Sequence, residues 1–422
     1  MDVPSDSQPA TIDRLLDSAA ALFWEKGYAS TTTREIAAAL EIRQASLYYH
    51  VASKEDLLYK ICVSSLERFL DEVSSAVESP GTKSCGGPLD GVRRLIRAHV
   101  ATLLKHQKRN ATMLLELRAL SGRRRARVVE MRGQYARMAM SALEAGRQTG
   151  AIRSDVAPEH LCLALLNMLN WAALWFHPDQ ALSAEELSDI FIEIYVSGAA
   201  HPGLRGAVSL RPMRTARKTP AAGGLRSAMA GQNATVERLI QAAVALFSSQ
   251  GYAATSTREV AALLGMQKAS LYYHIESKED LLYFICKYSL ERIREDVAAA
   301  VEEVHDPLER TRTLIRAHIE SMLRDQGEHS ITLAEMHALS RDRLAQVLAL
   351  RDTYQNLIRS VLEDAQNAGA LRGDIQVKYL CLAVLGLMNR VLVWYRKRGA
   401  LSPAELGQLL ATIFLSGVRA AD

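Results

Sequence analysis

Along most of the chain apolar residues recur three and four positions apart, the spacing of one face of a helix. Ile12, Leu15, Leu16, Ala19, Leu22 and Phe23 mark a first helix and Val236, Leu239, Ile240, Ala243, Leu246 and Phe247 a second; Gly27 and Gly251 stop them. Thr32 with Glu35, Ser53 with Asp56, Ser256 with Glu259 and Ser277 with Asp280 have the spacing of capping boxes, in which a hydroxyl and a carboxylate three residues apart satisfy each other's backbone N–H. After the first helix the pattern therefore predicts a short helix over 33–40, a tight turn over 41–43, a short helix over 44–50 and a capped helix from Ser53. That is helix-turn-helix spacing. Longer apolar-periodic helices fill 61–200 and 285–420, and no stretch alternates as a strand does, so the expected fold is all-α.

The pattern repeats. Residues 31–59 are matched by 255–283 with 20 of 29 positions identical, and after a shorter loop in the second copy the match resumes at Leu95 and Leu314 (LIRAH) and at Leu161 and Leu380 (LCLA). The period is that of a complete domain pair, not of a solenoid repeat. Five segments follow: a helix-turn-helix domain over 10–60, a larger helical domain over 61–200, a linker over 201–232 rich in Gly, Pro, Ala and Arg, and the same two domains over 233–284 and 285–420.

A chain of 422 residues with 49% hydrophobic and 23% charged residues has room for two cores. Apolar runs such as 161–166 are broken by Asn167 and Asn170 short of the ~20 residues that span a bilayer, so no membrane contact is expected. Residues 1–10 carry Asp2 and Asp6 and no basic or apolar region, which predicts no export signal and a cytoplasmic location. Cys62, Cys85, Cys162, Cys286 and Cys381 form no CxxC pair, and reduced thiols are expected. Of 51 basic residues, Arg205, Arg211, Arg214, Arg217, Lys218 and Arg226 fall in the acid-free linker; 47 acidic residues balance the rest, so a nucleic-acid surface must be a local patch.

TTTREIAAALEIRQASLYYHVASKEDLL and TSTREVAALLGMQKASLYYHIESKEDLL closely resemble the DNA-binding domain of the TetR/AcrR family. The resemblance implies a DNA-binding transcription regulator, each half an N-terminal helix-turn-helix domain plus a helical domain for ligand binding and dimerisation. It implies that the second short helix enters the major groove with Gln44, Ala45, Ser46, Tyr48, Tyr49 and His50, while Leu47 faces the core. Thr33, Arg34 and Lys54 match the family's backbone clamps. The second copy offers Thr257, Arg258, Lys268, Ala269, Ser270, Tyr272, Tyr273, His274 and Lys278. Chemically, Gln44 suits an adenine edge, Lys268 a guanine, and the hydroxyls and imidazoles suit phosphates, so the expected operator is an imperfect inverted repeat in double-stranded DNA. Glu41 stands where the family usually has the turn glycine, kept as Gly265, which predicts strain in the first copy.

By the same resemblance the helices over 160–176 and 184–197 would pair with those over 379–395 and 404–416 as an intramolecular four-helix bundle, a single-chain dimer with pseudo-two-fold symmetry. Polar residues on apolar helices are candidate ligand contacts: His99, Glu116, Arg118, Asn170, Trp171 and Trp175, with His318, Glu335, His337, Asn389 and Trp394 in the second copy. Each also reads as a satisfied core or interface group. A mostly apolar pocket implies a small hydrophobic effector, an acid or acyl thioester, that releases a repressor. The alternatives are control by a protein partner and constitutive binding. No GxSxG, HExxH, GxGxxG or Walker pattern occurs, and His99 with Glu116 is the one conceivable acid–base pair, so no enzyme, cofactor or metal is expected.

Overall fold

A computed structural model describes residues 8–78, 87–176, 182–198, 234–395 and 401–417. The N-terminal segment, Cys85 and the basic linker lie outside the described residues. The chain divides into two compact units that meet in sequence at Ser197 and Gly198.

The first unit holds α1 (Gln8–Lys26), α2 (Thr33–Ala39), α3 (Gln44–His50), α4 (Lys54–Glu78), α5 (Asp90–Lys105), α6 (Gln107–Leu115), α7 (Gly122–Gln148), α8 (Pro158–Trp175) and α9 (Ala184–Ile192). The second holds α10 (Ala234–Gln250), α11 (Thr257–Leu263), α12 (Lys268–Tyr272), α13 (Lys278–Glu302), α14 (Pro307–Arg324), α15 (Gln326–Glu335), α16 (Arg341–Asn367), α17 (Val377–Asn389), α18 (Val391–Trp394) and α19 (Pro403–Ser416). No β-strand occurs among the described residues.

Local chemistry sets the helix ends. Gly27 (φ 81°) and Gly251 (φ 85°) adopt the left-handed conformation at the ends of α1 and α10, donating to Phe23 O and Phe247 O at 2.9 and 3.0 Å. Thr32–Glu35, Ser256–Glu259 and Ser277–Asp280 form complete capping boxes. At the start of α4 the pair is shifted: Asp56 N donates to Ser53 Oγ at 3.1 Å, but the Asp56 carboxylate reaches one residue further back, to Ala52 N at 3.1 Å.

The long helices α4 and α13 join each helix-turn-helix to its larger domain, and α5 through α7 pack against α4 as α14 through α16 do against α13. The two parts share a core. In the second unit Phe247, Leu271, Leu282 and Ile285 belong to one buried cluster with Ile331 and Val347. Each such side chain removed from water contributes about 1.5–3 kcal/mol, so the helix-turn-helix and the larger domain stabilise each other.

The copies differ in how that junction is fastened. In the first unit the buried Arg109 on α6 donates to Asp13 Oδ1 at 2.9 Å and to Asp17 Oδ1 at 2.5 Å on α1, and the guanidinium holds the Asp13 carboxyl below its usual range. The second copy has Glu328, Glu237 and Gln241 at these places. There α15 also comes close to α10: a Cβ on Gly327 would lie 3.0 Å from Val244 Cγ1.

The last helices also depart from strict repetition. α8 is continuous, whereas its counterpart breaks at the buried Arg390, which stands at the position of Trp171. The stretch Val377–Trp394 corrects the expectation that no segment is apolar enough to span a bilayer: its mean hydropathy is 1.5. It is nevertheless 67% buried in the fold, as a core helix is.

Candidate nucleic-acid interface and buried polar cluster

Each helix-turn-helix presents one buried and several exposed side chains on its second short helix. Leu47 and Leu271 are fully buried and pin that helix to the core. Gln44, Ala45, Ser46, Tyr48 and Tyr49 are exposed and His50 is half-buried; in the second copy Ala269, Ser270, Tyr272 and Tyr273 are exposed and His274 half-buried. The side chain of Lys268 lies outside the described residues. Tyr49 and Tyr273 are 78% and 87% exposed, too much for a packing role, and each meets the next histidine ring edge-on at 5.3 Å.

The first and second short helices are braced at their exposed ends. Tyr48 OH lies 3.1 Å from Thr33 Oγ1, to which Gln44 Nε2 donates at 3.1 Å, and Tyr272 OH lies 3.1 Å from Thr257 Oγ1. Arg34 and Arg258 are exposed beside them, so hydroxyl, amide and guanidinium groups share one surface in both copies.

The turn is where the copies part. Gly265 takes φ 65°, and Glu41 takes φ 58°, the one non-glycine residue in the left-handed region among the described residues. Such a conformation costs an L-residue about 1–2 kcal/mol.

Lys54 and Lys278 are placed differently from the phosphate clamps they resemble. The Lys54 ammonium donates to Tyr28 O, Ala29 O and Thr31 O at 2.8, 3.2 and 2.9 Å and sits 4.4 Å from the Tyr28 ring centre. Lys278 does the same with Tyr252 O, Ala253 O and Thr255 O, at 2.8, 3.3 and 2.9 Å. An ammonium has three donors, and here all three fasten the loop after the first helix. Partial burial lowers the pKa of both.

The candidate ligand residues fall into two groups. His99 is buried in the first unit, and Asn170, Trp171 and Trp175 are half-buried on α8. The His99 imidazole is buried, Nδ1 lies 2.7 Å from Tyr135 OH, Asn170 reaches the same ring, and burial drives its pKa down to about 3. The buried indole N–H groups of Trp171, Trp175 and Trp394 have no hydrogen-bond partner among the described residues. His318 repeats the arrangement with Tyr354 and Asn389, at a pKa of about 3. Tyr135 and Tyr354 escaped the sequence reading although both lie 36 residues beyond a matching histidine. So did the buried His329, whose Nδ1 meets Ser289 Oγ at 2.7 Å while Nε2 has no partner among the described residues; Asn110 stands there in the first copy, so repetition could not flag it.

Glu116, Arg118, Glu335 and His337 lie elsewhere. Glu116 accepts from Tyr28 N at 3.1 Å, and Glu335 acts electrostatically on Tyr252 and Lys278, so both belong to the junction with the reading head. Glu116 is thus not set as a partner for His99. Arg118 is exposed on a short turn, Leu117–Ala119, and His337 is half-buried on its counterpart, Met336–Ala338. A surface recess of about 380 Å³ opens at the start of α14 beside Asp306, Glu309 and Arg312, away from all these residues.

Cys62, Cys162, Cys286 and Cys381 are buried and unpaired, with thiol pKa values raised to about 11–12 by burial. Among the described residues no cluster of His, Cys, Asp and Glu is arranged to hold a metal ion.

Comparison with known proteins agrees with the duplication. The family model for bacterial regulatory proteins of the tetR family matches residues 15–61 and 239–283, and that for the tetracyclin repressor-like C-terminal domain matches 86–199 and 304–418. The HTH-type transcriptional repressor KstR2 of Rhodococcus jostii (strain RHA1) is 28% identical over 194 residues, 44% of this chain and 90% of that protein. Among solved structures, the TetR family regulator PfmR from Thermus thermophilus is 31% identical, covering 43% of this chain and 98% of its own, with a TM-score of 0.39. AibR, crystallised with isovaleryl coenzyme A and operator DNA, is 28% identical, covering 44% of this chain and 97% of its own, with a TM-score of 0.40.

Proposed function

We infer from a chain that belongs to the tetR family of bacterial regulatory proteins, with both family domains present twice, how a DNA-binding regulator of this build works. It acts in the cytoplasm as a repressor, as the relative KstR2 does, by occluding the promoter it binds. One observation carries the reading: two helix-turn-helix heads in one chain, each with its leucine buried and its tyrosines exposed.

In this reading α3 and α12 lie in successive major grooves. Gln44 and Ala45 face bases, as do Lys268 and Ala269, while Ser46 and Ser270 donate to phosphates. Thr33, Arg34, Tyr48, Tyr49 and His50, with Thr257, Arg258, Tyr272, Tyr273 and His274, grip phosphates. Lys54 and Lys278 act indirectly, by holding the loop that positions these groups. As the family resemblance implies, the two repeats are expected to pair within the chain. Cutting the linker should leave the halves associated in gel filtration.

A small, largely hydrophobic effector carrying an acid or acyl thioester releases the DNA. The buried His99–Tyr135 and His318–Tyr354 pairs, with Asn170, Asn389 and the unpartnered indoles of Trp171, Trp175 and Trp394, supply its polar anchors.

The test is selection of a binding site from random DNA followed by affinity measurements at several salt concentrations. The expected site is an imperfect inverted repeat, because Arg43-Gln44 in one reader faces Gln267-Lys268 in the other; each direct base contact contributes roughly 1–3 kcal/mol of discrimination. A chain that selects no site, or binds it with no salt dependence, is not a DNA reader. A perfect palindrome left unchanged by Lys268→Gln with Gln267→Arg removes the asymmetric reading alone.

A further inference from the structure

The start of α7 is strongly basic: Arg123, Arg124, Arg125 and Arg127 follow Gly122, with Arg118 on the preceding turn. One of these arginines points inward. Arg124 donates to Asp56 Oδ1 at 3.0 Å and Glu55 Oε2 at 3.4 Å and lies 5.9 Å from the Tyr59 ring centre. Ser121 adds hydrogen bonds from N and Oγ to Glu55 Oε1 at 2.8 and 2.9 Å. The start of α7 is thereby fastened to the first turn of α4, which begins only four residues after α3 ends.

Arg124 continues the buried stripe of Val128, Met131 and Tyr135, so Arg123 and Arg125 project about 100° to either side of it. Both are exposed, as is Arg118, and among the described residues none of the three has an ion-pair or hydrogen-bond partner. Arg127 is engaged, with Glu130 at 2.9 Å.

The second copy separates the two roles. Arg343, the counterpart of Arg124, keeps the inward one, with Asp280 and with Glu279 at 3.8 Å, 5.6 Å from the Tyr283 ring centre. The counterparts of Arg118, Arg123, Arg125 and Arg127 are His337, Asp342, Leu344 and Gln346. Anchoring the helix therefore needs one arginine. The second copy has one exposed arginine at its helix start, Arg341, so the first copy alone carries the set at 118, 123 and 125.

We propose that Arg118, Arg123 and Arg125 form an auxiliary phosphate clamp, present only in the first repeat, that grips the DNA backbone flanking the half-site read by α3. The proposal rests on α3 being a DNA reader. Guanidinium groups suit phosphate oxygens bidentately, carry no sequence information, and are held next to the reading head through Arg124 and Ser121. The repeat with the strained Glu41 turn is the one that receives the added grip.

The experiment compares the full chain with its Arg118→Gln/Arg123→Gln/Arg125→Gln variant on its selected operator and on an unrelated duplex across a salt series. The variant should weaken binding to both duplexes by the same factor. Its log–log salt slope should be shallower by about 0.9 for each phosphate no longer neutralised, hence by roughly 1 to 3. Thermal unfolding should be unchanged. Conversely, Asp342→Arg, at an exposed position of the second repeat, should steepen the slope, which keeps the test decisive if the first variant folds poorly. An unchanged slope in both variants, beside a wild type that prefers its operator, overturns the clamp and leaves the reader standing. A variant that loses preference for the operator also overturns it, since phosphate contacts cannot discriminate. A wild type that binds neither duplex overturns clamp and reader together.

Discussion

Glu116 Oε1 accepts the backbone N–H of Tyr28 at 3.1 Å, joining the C-terminal end of α6 to the loop after α1. That loop is also gathered by Lys54, whose ammonium feels the Glu116 charge. A shift of α6 therefore pulls on backbone that supports the first turn of α2. Glu116→Ala should leave the Tyr28 N–H unpaired and lower the local stability of the loop by about 1–2 kcal/mol, while Glu116→Gln, which keeps an acceptor oxygen, should lower it less. Amide hydrogen exchange at residues 28–33 measures this. Equal protection in Ala and wild type would make the contact incidental.

Glu41→Gly should stabilise the first reading head by about 1 kcal/mol, because glycine adopts φ 58° without a Cβ clash. Gly265→Ala should destabilise the second head by a similar amount. Denaturant titration of each variant checks the two signs, and a stabilising Gly265→Ala would refute the account.

Removing exposed tyrosine hydroxyls and rings should separate binding from folding. Tyr49→Ala and Tyr273→Ala are expected to change stability by no more than about 0.5 kcal/mol, since neither side chain is packed. Operator affinity should nevertheless fall several-fold. Melting curves and binding isotherms on the same samples distinguish this from a structural role.

Between pH 6.5 and 5 the second unit should lose more stability than the first. His99 and His318 have pKa values near 3 and His329 near 4, all depressed by burial from an unfolded value near 6.5. The folded state therefore binds fewer protons than the unfolded one below pH 6.5. The stability each neutral imidazole represents is complete above that pH and is lost progressively towards pH 3–4. Between pH 6.5 and 5 the loss is about 2 kcal/mol per histidine, with one such histidine in the first unit and two in the second. His329→Asn, which installs the first copy's residue, should narrow the difference; calorimetry between pH 5 and 7 tests it.

The reading heads were legible because their determinants are local. A capping box needs two residues three apart, and LYYH puts one leucine inward between outward neighbours whatever surrounds it. The α3 bounds and the left-handed turn at Glu41 follow from such short-range rules. The interior was less legible, because apolar periodicity says which face is buried and not what a polar residue on it will meet. Glu116 and His99 both sit at helical positions among hydrophobes, yet one binds a loop 88 residues away and the other a tyrosine across the core. Lys54 looked like a phosphate ligand because its three carbonyl partners come from backbone, which leaves no trace in residue identity.

The unequal turns at Glu41 and Gly265 carry a consequence for how such a gene can change. In a regulator assembled from identical subunits every substitution is expressed in both readers at once, and a change that strains the turn weakens both half-sites together. Two copies written in series halve that exposure: one can accept a glutamate at its turn, or gain three arginines on its flank, while the other keeps an unstrained grip. Sequence drift in one head is then buffered by its neighbour, and each head is free to change independently of the other.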